Sequence, residues 1–204
     1  MKNQNKSLLL YFSLVFLALF LLILINTASF VSIDNFFSNL ALSNQNSFLL
    51  EISKFVGAVF QPEILIVVSF ILALFFWIKK MRKDALFFAI VMTIGGAFIY
   101  ILKDIIQRAR PLSQIVAETG FSFPSGHALI SVIFFGFFIY LAFKYLKMKG
   151  KIVLSFIFVF LILFTGFTRI YLNVHWFSDV LGGFFLGAFL LLLCIFLRKS
   201  INYS

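Results

Sequence analysis

The sequence predicts an all-α integral membrane protein, a six-transmembrane-helix bundle that forms a single domain over residues 1–204. Hydrophobic residues make up 63% of the chain and charged residues only 12%, whereas soluble domains average about 45–50% apolar and about 25% charged residues. Apolar runs also recur along the chain, and their lengths are close to the roughly 20 residues that a helix needs to cross a bilayer. Lipid is therefore the predicted surrounding of most of the chain.

Six segments have the length and composition of spans: residues 8–26, 62–78, 85–102, 127–145, 152–170 and 178–197. The first follows two lysines, as a signal peptide would, but its apolar run exceeds the about 7–15 residues of a signal-peptide core. Asn26-Thr27-Ala28 is also a poor cleavage site, so we expect a retained helix. The pairs Gly95-Gly96 and Gly183/Gly187 predict close helix contacts.

Basic residues predict the orientation of the bundle. The chain has 17 Lys and Arg residues, and most flank the spans on one side. These flanking residues are Lys2, Lys6, Lys79, Lys80, Arg82, Lys83, Lys144, Lys147, Lys149, Lys151, Arg198 and Lys199. Because short basic loops stay in the cytoplasm, both termini are predicted to be cytoplasmic. The net charge of +10 is then a topology signal, and nucleic-acid binding is not expected.

The outer link between the first two spans, residues 27–61, carries a predicted helix. Phe48, Ile52, Phe55 and Val59 recur at helical spacing, with polar residues between them. This pattern favours an amphipathic helix that lies in the membrane interface. A helix that simply packs over the bundle is an equally good interpretation.

Three polar clusters lie at the outer ends of the predicted spans. They read KDIIQRARP from Lys103, PSGH from Pro124, and TRIYLNVHWFSD from Thr168. The chain's 2 histidines, His127 and His175, both belong to them. Each cluster alone is weak evidence for a functional site, but ionisable groups at span ends are costly and are presumed functional.

The clusters have the chemistry of a phosphate site. Arg110 and Arg169 offer bidentate guanidinium forks and Lys103 a point charge. Ser125, Gly126 and His127 would place backbone N–H groups at a helix N-terminus, where anions bind. A phosphate monoester, with a charge near about −2, fits this set.

The histidines add the chemistry of phosphoryl transfer. His175 and Asp179 are four residues apart, so on a helix they would share one face. The carboxylate would fix the imidazole tautomer and leave the other ring nitrogen free to attack, and His127 would protonate the leaving oxygen. Two histidines and an aspartate could also ligate a metal, but the neighbouring cations argue against it, so neither a metal nor a cofactor is expected.

The clusters resemble the signature of the type 2 phosphatidic acid phosphatase (PAP2) superfamily of membrane lipid phosphatases. That signature is K-x6-RP, PSGH and SR-x5-H-x3-D, and it is matched over residues 103–179 with every spacing kept. Thr168 replaces the common serine and retains its hydroxyl.

The resemblance implies a role for each matching residue. His175 would be the nucleophile that forms a phosphohistidine, Asp179 its partner and His127 the acid. The implied phosphate-binding residues are Lys103, Arg110, Ser125, Gly126 and Arg169. It also implies Mg²⁺ independence and a site at the outer leaflet. Arg108, Asp104 and Glu118 lie near the motif but outside it, and the sequence assigns them no role.

The expected function is hydrolysis of a membrane lipid phosphate in a bacterial cell membrane. Phosphatidylglycerophosphate and undecaprenyl pyrophosphate rank equally as substrates, with phosphatidic acid beside them, and the oligomeric state stays open. The alternative is a small anion transporter or channel with an outer cationic ring, which the nearly uncharged span centres disfavour. An inactive scaffold relative is a third possibility, and the complete set of His127, His175 and Asp179 weighs against it.

Overall fold

Helices account for the regular structure of residues 2–201, the part of the chain that the computed structural model describes, with side chains for residues 6–200. The side chain of Lys2 is outside this range. The elements are α1 (Lys2–Ile25), a 3₁₀ turn (Thr27–Phe30), α2 (Val31–Ser43), α3 (Ser47–Val59), α4 (Pro62–Ile78), α5 (Arg82–Ile106), α6 (Gly126–Tyr145), α7 (Met148–Tyr171) and α8 (Phe177–Ile201).

The predicted spans correspond to six of these helices, with one difference. By length and hydropathy, α1, α5, α6, α7 and α8 can each cross a membrane, whereas α4 passes the same test only together with α3, from which it bends by 50°. The 17 residues of α4 rise about 26 Å at about 1.5 Å per residue, less than the about 30 Å hydrocarbon core. The second predicted span therefore passes this test only as part of the bent pair α3–α4, and the described residues contain five or six candidate spans.

The link between α1 and α4 contains more helix than the sequence predicted. The spacing of Phe48 to Val59 correctly predicts α3, but α2 was missed. The predicted apolar face of α3 points away from the protein, with Phe48 and Phe55 exposed, while Ser53, Val56 and Gly57 on its other side are buried. The packing interpretation is confirmed, because α3 lies on α7 and α2 contacts both α7 and α8. The interfacial placement stays a prediction.

Helix α6 is the centre of the bundle. It contacts α4, α5, α7 and α8, and 72% of its most apolar stretch of 18 residues is buried. Phe137 of α6 stacks on Phe88 of α5 with ring centroids 4.0 Å apart, and both side chains are fully buried. This central position means that the first turn of α6 is surrounded by other helix ends.

Two glycines bring α8 onto the backbone of α6, as the sequence predicted. A Cβ on Gly183 would lie 2.6 Å from the Ser125 carbonyl oxygen, and one on Gly187 would lie 2.7 Å from the Leu129 carbonyl oxygen. No Cβ fits at such distances, so α8 can approach α6 this closely only where it has no side chain. The contact sets the start of α6 beside the start of α8.

The opposite end of the bundle is held by a buried acid. Asp84 of α5 forms ion pairs with Lys144 of α6 at 2.8 Å and Arg198 of α8 at 2.7 Å. Tyr145 donates a hydrogen bond of 2.6 Å to the same carboxylate. Two of the predicted cytoplasmic basic clusters therefore meet around one carboxylate, at the far end from the polar motifs.

Gly183→Ala is expected to lower the thermal unfolding midpoint in detergent. Overpacking of this kind costs about 1–3 kcal/mol, which outweighs the about 1 kcal/mol helix-propensity gain from replacing glycine with alanine. Gly150→Ala is the matched control, because a Cβ there meets its nearest neighbour at an ordinary 3.6 Å. Equal midpoints for the two variants would contradict the proposed contact.

Candidate active site

A cavity of about 550 Å³ lies at the end of the bundle where α5 and α7 end and α6 begins. It gathers residues from all three sequence motifs. Among the residues that line it are Lys103, Arg110, Gly126, His127, Arg169 and His175. Ser125 and Asp179, the other two predicted site residues, are fully buried and are joined by a 3.0 Å hydrogen bond from the Ser125 N–H to the Asp179 carbonyl oxygen. The structure therefore places all eight predicted residues in one region.

His175 lies in the turn between α7 and α8, directly before the helix that carries Asp179. The turn includes Asn173 in the left-handed region at φ 51°, which asparagine tolerates better than most residues. The Asn173 side-chain amide donates to the Ser113 carbonyl oxygen at 3.0 Å and so fixes the turn to the α5–α6 loop.

The two ring nitrogens of His175 face different surroundings. Nδ1 is 3.4 Å from Asp179 Oδ2, a close contact whose angle is not that of a hydrogen bond, so Nδ1 has no hydrogen-bond partner. Nε2 is 3.3 Å from Arg110 Nη1, on the cavity side. A proton on Nδ1, beside the carboxylate, leaves the Nε2 lone pair directed toward the guanidinium and the cavity.

The surroundings of His175 favour its neutral form. Burial is the largest cause, followed by the charge of Arg110, and together they lower the pKa of His175 well below its usual 6.5. Desolvation and like charge both penalise imidazolium. The neutral imidazole is the form that can act as a nucleophile.

Arg110 is held by the backbone of the loop around it. It donates to the Val174 carbonyl oxygen at 2.7 Å and to the Gly120 carbonyl oxygen at 3.1 Å. These bonds connect the α5–α6 loop to the turn of His175 and fix the guanidinium at the cavity wall.

Arg169 crosses the surface of α3, where Gly57 makes room for it. A Cβ on Gly57 would overlap Arg169 Nη2, and this nitrogen donates to the Ser53 carbonyl oxygen at 3.1 Å. Arg169 Nε donates to the Thr168 hydroxyl oxygen at 3.3 Å. The threonine that departs from the family pattern therefore keeps a hydroxyl that contacts this arginine.

The His127 imidazole contacts the protein backbone. Its Nε2 is 3.0 Å from the Gly57 carbonyl oxygen, and since a carbonyl only accepts hydrogen bonds, this arrangement requires the proton on Nε2. Arg169 Nη1 lies 3.5 Å from the same nitrogen. Proton donation from Nε2 to a leaving group would require the bond to Gly57 to be exchanged.

The start of α6 differs in one respect from the prediction. The Ser125 N–H, predicted as a phosphate donor, donates instead to Asp179, and the Ser125 hydroxyl caps the helix by accepting from the Ala128 N–H at 3.5 Å. The N–H groups of Gly126 and His127 are in the first turn, where no intrahelical acceptor exists. The phosphate-binding role of Ser125 stays a prediction.

Sequence reasoning missed Arg108 and Asp34. Arg108 donates to Asp179 Oδ1 at 2.6 Å and to Asp34 Oδ2 of α2 at 2.7 Å. Asp34 is 2% exposed and also accepts from the Ser178 N–H at 2.8 Å. Arg108 is outside the basic clusters predicted to be cytoplasmic, as are Lys54, Lys103, Arg110 and Arg169, and this exception to the positive-inside pattern was the available signal.

Glu118 was also missed, although it lies in the middle of the cationic cluster. Its carboxylate pairs with Arg110 at 2.9 Å and Arg169 at 3.2 Å, and it lies 4.0 Å from His175 Nε2. It belongs to the loop between α5 and α6, which has no periodic pattern, so nothing in the sequence predicted its position.

Among the side chains of residues 6–200, no group of three or more His, Cys, Asp and Glu residues is placed to hold a metal ion. His175 and Asp179 instead share their surroundings with guanidinium groups. The side chains around the cavity have the chemistry of an anion site.

The chain is similar to known membrane phosphatases. Residues 84–202, more than half of the chain, match the PAP2 superfamily. A protein named phosphatidylglycerophosphatase B from Bacillus subtilis (strain 168) is 31% identical over 194 residues, covering 92% of this chain and 94% of that protein. The crystal structure of a transmembrane PAP2 type phosphatidylglycerolphosphate phosphatase from Bacillus subtilis aligns with a TM-score of 0.79 and 28% identity over 96% of each chain.

Fold and site together define a multi-pass membrane protein of the phosphatase class. The chain belongs to the PAP2 superfamily. The resemblance that the three sequence motifs suggested is thereby confirmed at the level of the family.

Arg108→Met is expected to destabilise the protein by about 3–5 kcal/mol, because it leaves two buried carboxylates without their partner. The free energy of unfolding in mixed micelles measures the loss. Lys54→Met is the control, since the exposed Lys54–Glu51 pair is expected to contribute only about 0–1 kcal/mol. Similar losses in both variants would show that Arg108 does not hold the two acids.

Nitrogen NMR of labelled histidine is expected to show a neutral His175 at pH 6.5, with protonation only at lower pH. In His127→Gln a single histidine remains, so its signal is unambiguous. The unfolded chain should titrate near 6.5, and between the two midpoints it binds more protons than the folded chain, so stability falls as the pH drops. A folded-state midpoint at or above 6.5 would contradict the assignment.

Proposed function

We propose that the protein is a metal-independent phosphatase that removes a phosphate group from a membrane lipid through a phosphohistidine intermediate. The observation that carries this proposal is the position of His175 Nε2, on the cavity side and 3.3 Å from Arg110, in a cavity that Lys103, Arg169 and His127 also line. A neutral nucleophile beside fixed cations is what attack on a phosphoryl group requires.

In the first step, Nε2 of His175 attacks phosphorus as the bond to the lipid oxygen breaks. The imidazole gains positive charge in this step, and the carboxylate of Asp179, 3.4 Å from Nδ1, stabilises it. Asp179 is itself fixed, since Oδ1 accepts from Arg108 and Oδ2 accepts from the Trp176 N–H at 2.9 Å. His127 acts as the acid in its doubly protonated, imidazolium form: it gives the Nε2 proton to the departing lipid oxygen and becomes a neutral imidazole.

In the second step, water attacks the phosphohistidine and the bond from phosphorus to His175 breaks. His127, now lacking the proton it donated, accepts the proton of the water. Inorganic phosphate then leaves, and both histidines return to their starting states. Lys103, Arg110 and Arg169 stabilise the phosphoryl oxygens in both steps, with Gly126 at the helix N-terminus.

The wall of the cavity suits a substrate with an alkyl tail. Ile66 of α4 and Ile99 of α5 line it together with the polar groups. An acyl or prenyl chain can therefore remain among apolar side chains while the phosphate reaches His175. This mixed lining favours a lipid over a soluble phosphate ester.

We assign the site to the outer face of the cell membrane, with both termini in the cytoplasm. Lys144 and Arg198 meet at Asp84, at the opposite end of α6 and α8 from the cavity. Because basic clusters mark the cytoplasmic end of a span, the cavity belongs to the other side.

Phosphatidylglycerophosphate is the first substrate to test, because relatives from Bacillus subtilis carry that activity in their names. Phosphatidic acid and undecaprenyl pyrophosphate complete the panel. Purified protein in detergent with EDTA is expected to release phosphate from at least one of them. His175→Ala should lower the rate by about a thousandfold or more, and Asp179→Asn should also lower it strongly, by leaving the tautomer of His175 unfixed.

Asp104→Asn is the matched control for Asp179→Asn, since Asp104 is exposed at the end of α5 and should retain the wild-type rate. Dependence on an added divalent ion, or activity that survives His175→Ala, would overturn the mechanism. Anion flux into liposomes without hydrolysis would favour a transporter instead.

A further inference from the structure

Glu118 occupies the place where the cationic side chains of the cavity converge. One carboxylate oxygen lies 2.9 Å from Arg110 Nη1 and the other 3.2 Å from Arg169 Nη1. The first oxygen is also 4.0 Å from His175 Nε2. A carboxylate that bridges both arginines in front of the nucleophilic nitrogen has the position expected of a phosphoryl group.

The backbone around Glu118 is fixed, whereas its side chain has room to leave. The Glu118 N–H donates to the Gln114 side chain at 2.9 Å, and the Ile115 N–H donates to the Leu172 carbonyl oxygen at 3.0 Å. The Glu118 side chain, however, is 25% exposed. Rotation about its own bonds can move the carboxylate from the arginines toward water without moving the loop.

A bound phosphate and the Glu118 carboxylate cannot both hold these arginines. Each would present negative oxygens to the same two guanidinium groups, and like charges at such short range repel strongly where water is largely excluded. In the empty site, by contrast, the carboxylate offsets the mutual repulsion of Arg110 and Arg169. Binding of an anion is therefore an exchange of one partner for another.

We propose that Glu118 is an internal competitor that the substrate phosphate must displace, and this proposal rests on the phosphatase function proposed above. Displacement weakens the binding of every anion by the same factor, because the same carboxylate leaves each time. Weakly bound anions are then kept out of the site, while strongly bound ones still enter. Glu118 thus sets a threshold of affinity.

The threshold separates two classes of lipid. A phosphodiester lipid carries one negative charge on its phosphate, as a carboxylate does, and so has little advantage over Glu118. A phosphomonoester approaches about two negative charges and offers three acceptor oxygens, and pyrophosphate carries further charge. The carboxylate therefore keeps the phosphodiester lipids of the surrounding membrane from occupying the site, and terminal phosphates displace it.

Glu118→Gln tests this exchange through binding, without turnover. Inorganic phosphate and dimethyl phosphate serve as monoester-like and diester probes, and their dissociation constants come from ligand-dependent thermal shifts of the purified protein. Both probes are expected to bind about tenfold more tightly to Glu118→Gln, because they no longer have to displace a charged partner from the two arginines. Without ligand, this variant should unfold at a lower temperature than the wild type, because its arginines have lost their partner.

Glu63→Gln is the matched control. Glu63 lines the same cavity but accepts from Tyr100 at 3.2 Å and has no ion pair with either arginine among the described contacts. The Glu63→Gln substitution removes the same charge from the cavity. Equal tightening of anion binding in both variants would therefore show a general electrostatic effect and overturn the proposal. Weaker or unchanged phosphate binding in Glu118→Gln would also overturn it, because Glu118 would then be a positioning group that remains in the bound state.

A second measurement connects anion binding to the hydrolysis rate in the presence of phosphodiester lipid. In micelles with phosphatidylglycerol added to a phosphomonoester lipid, the hydrolysis rate of Glu118→Gln is expected to fall at phosphodiester fractions that leave the wild type unaffected. Equal sensitivity of the two proteins would contradict the threshold. If the wild type hydrolyses none of the lipids while Glu118→Gln still binds phosphate more tightly, the proposed function fails and the displacement by anions stands.

Discussion

The ion pairs of Arg108 with Asp34 and Asp179 are the interaction on which the cavity end of the protein depends. One guanidinium joins the α5–α6 loop, α2 and the first turn of α8, at distances of 2.7 and 2.6 Å. Both carboxylates are almost completely buried, so neither can find a replacement partner in water. The position of Asp179 is thereby fixed, and with it the orientation of His175. Helix α2, in the link between α1 and α4, is in this way connected to the candidate active site through two ion pairs.

Most of the chain's few acidic residues partner cations. The chain has 7 Asp and Glu residues against 17 Lys and Arg, and four of the seven partner cations at the cavity end of the bundle. Asp34 and Asp179 hold Arg108, Glu51 holds Lys54, and Glu118 holds Arg110 and Arg169. With the cavity on the outer side, as proposed, these pairs explain how cations are retained there against the positive-inside pattern. Of them, only the Glu118 carboxylate both faces the cavity and pairs with arginines predicted to bind phosphate.

The central helix explains why motifs far apart along the chain meet. Gly183 allows α8 to touch the first turn of α6, where the Ser125 N–H donates to the Asp179 carbonyl oxygen. On the other side, the His127 imidazole and the Arg169 guanidinium both bond to the backbone of α3. The same helix start is therefore packed between the two elements that orient the histidines, and a change in either contact would alter the relative positions of His127 and His175.

The sequence by itself determined the membrane class, five of the six predicted spans and the family, because these depend on composition and on spacing within short segments. The positions of Lys103, Arg110, His127, Arg169 and His175 at one cavity followed from their placement at span ends. Only the tertiary structure decided the partners of Arg108 and Glu118, the burial of Asp34 and the attachment of His127 to Gly57. Apart from the Arg110–Glu118 pair, these contacts join residues that are 51 to 74 positions apart in the chain. No local periodicity encodes them, since they arise from the way the helix ends and the α5–α6 loop pack together.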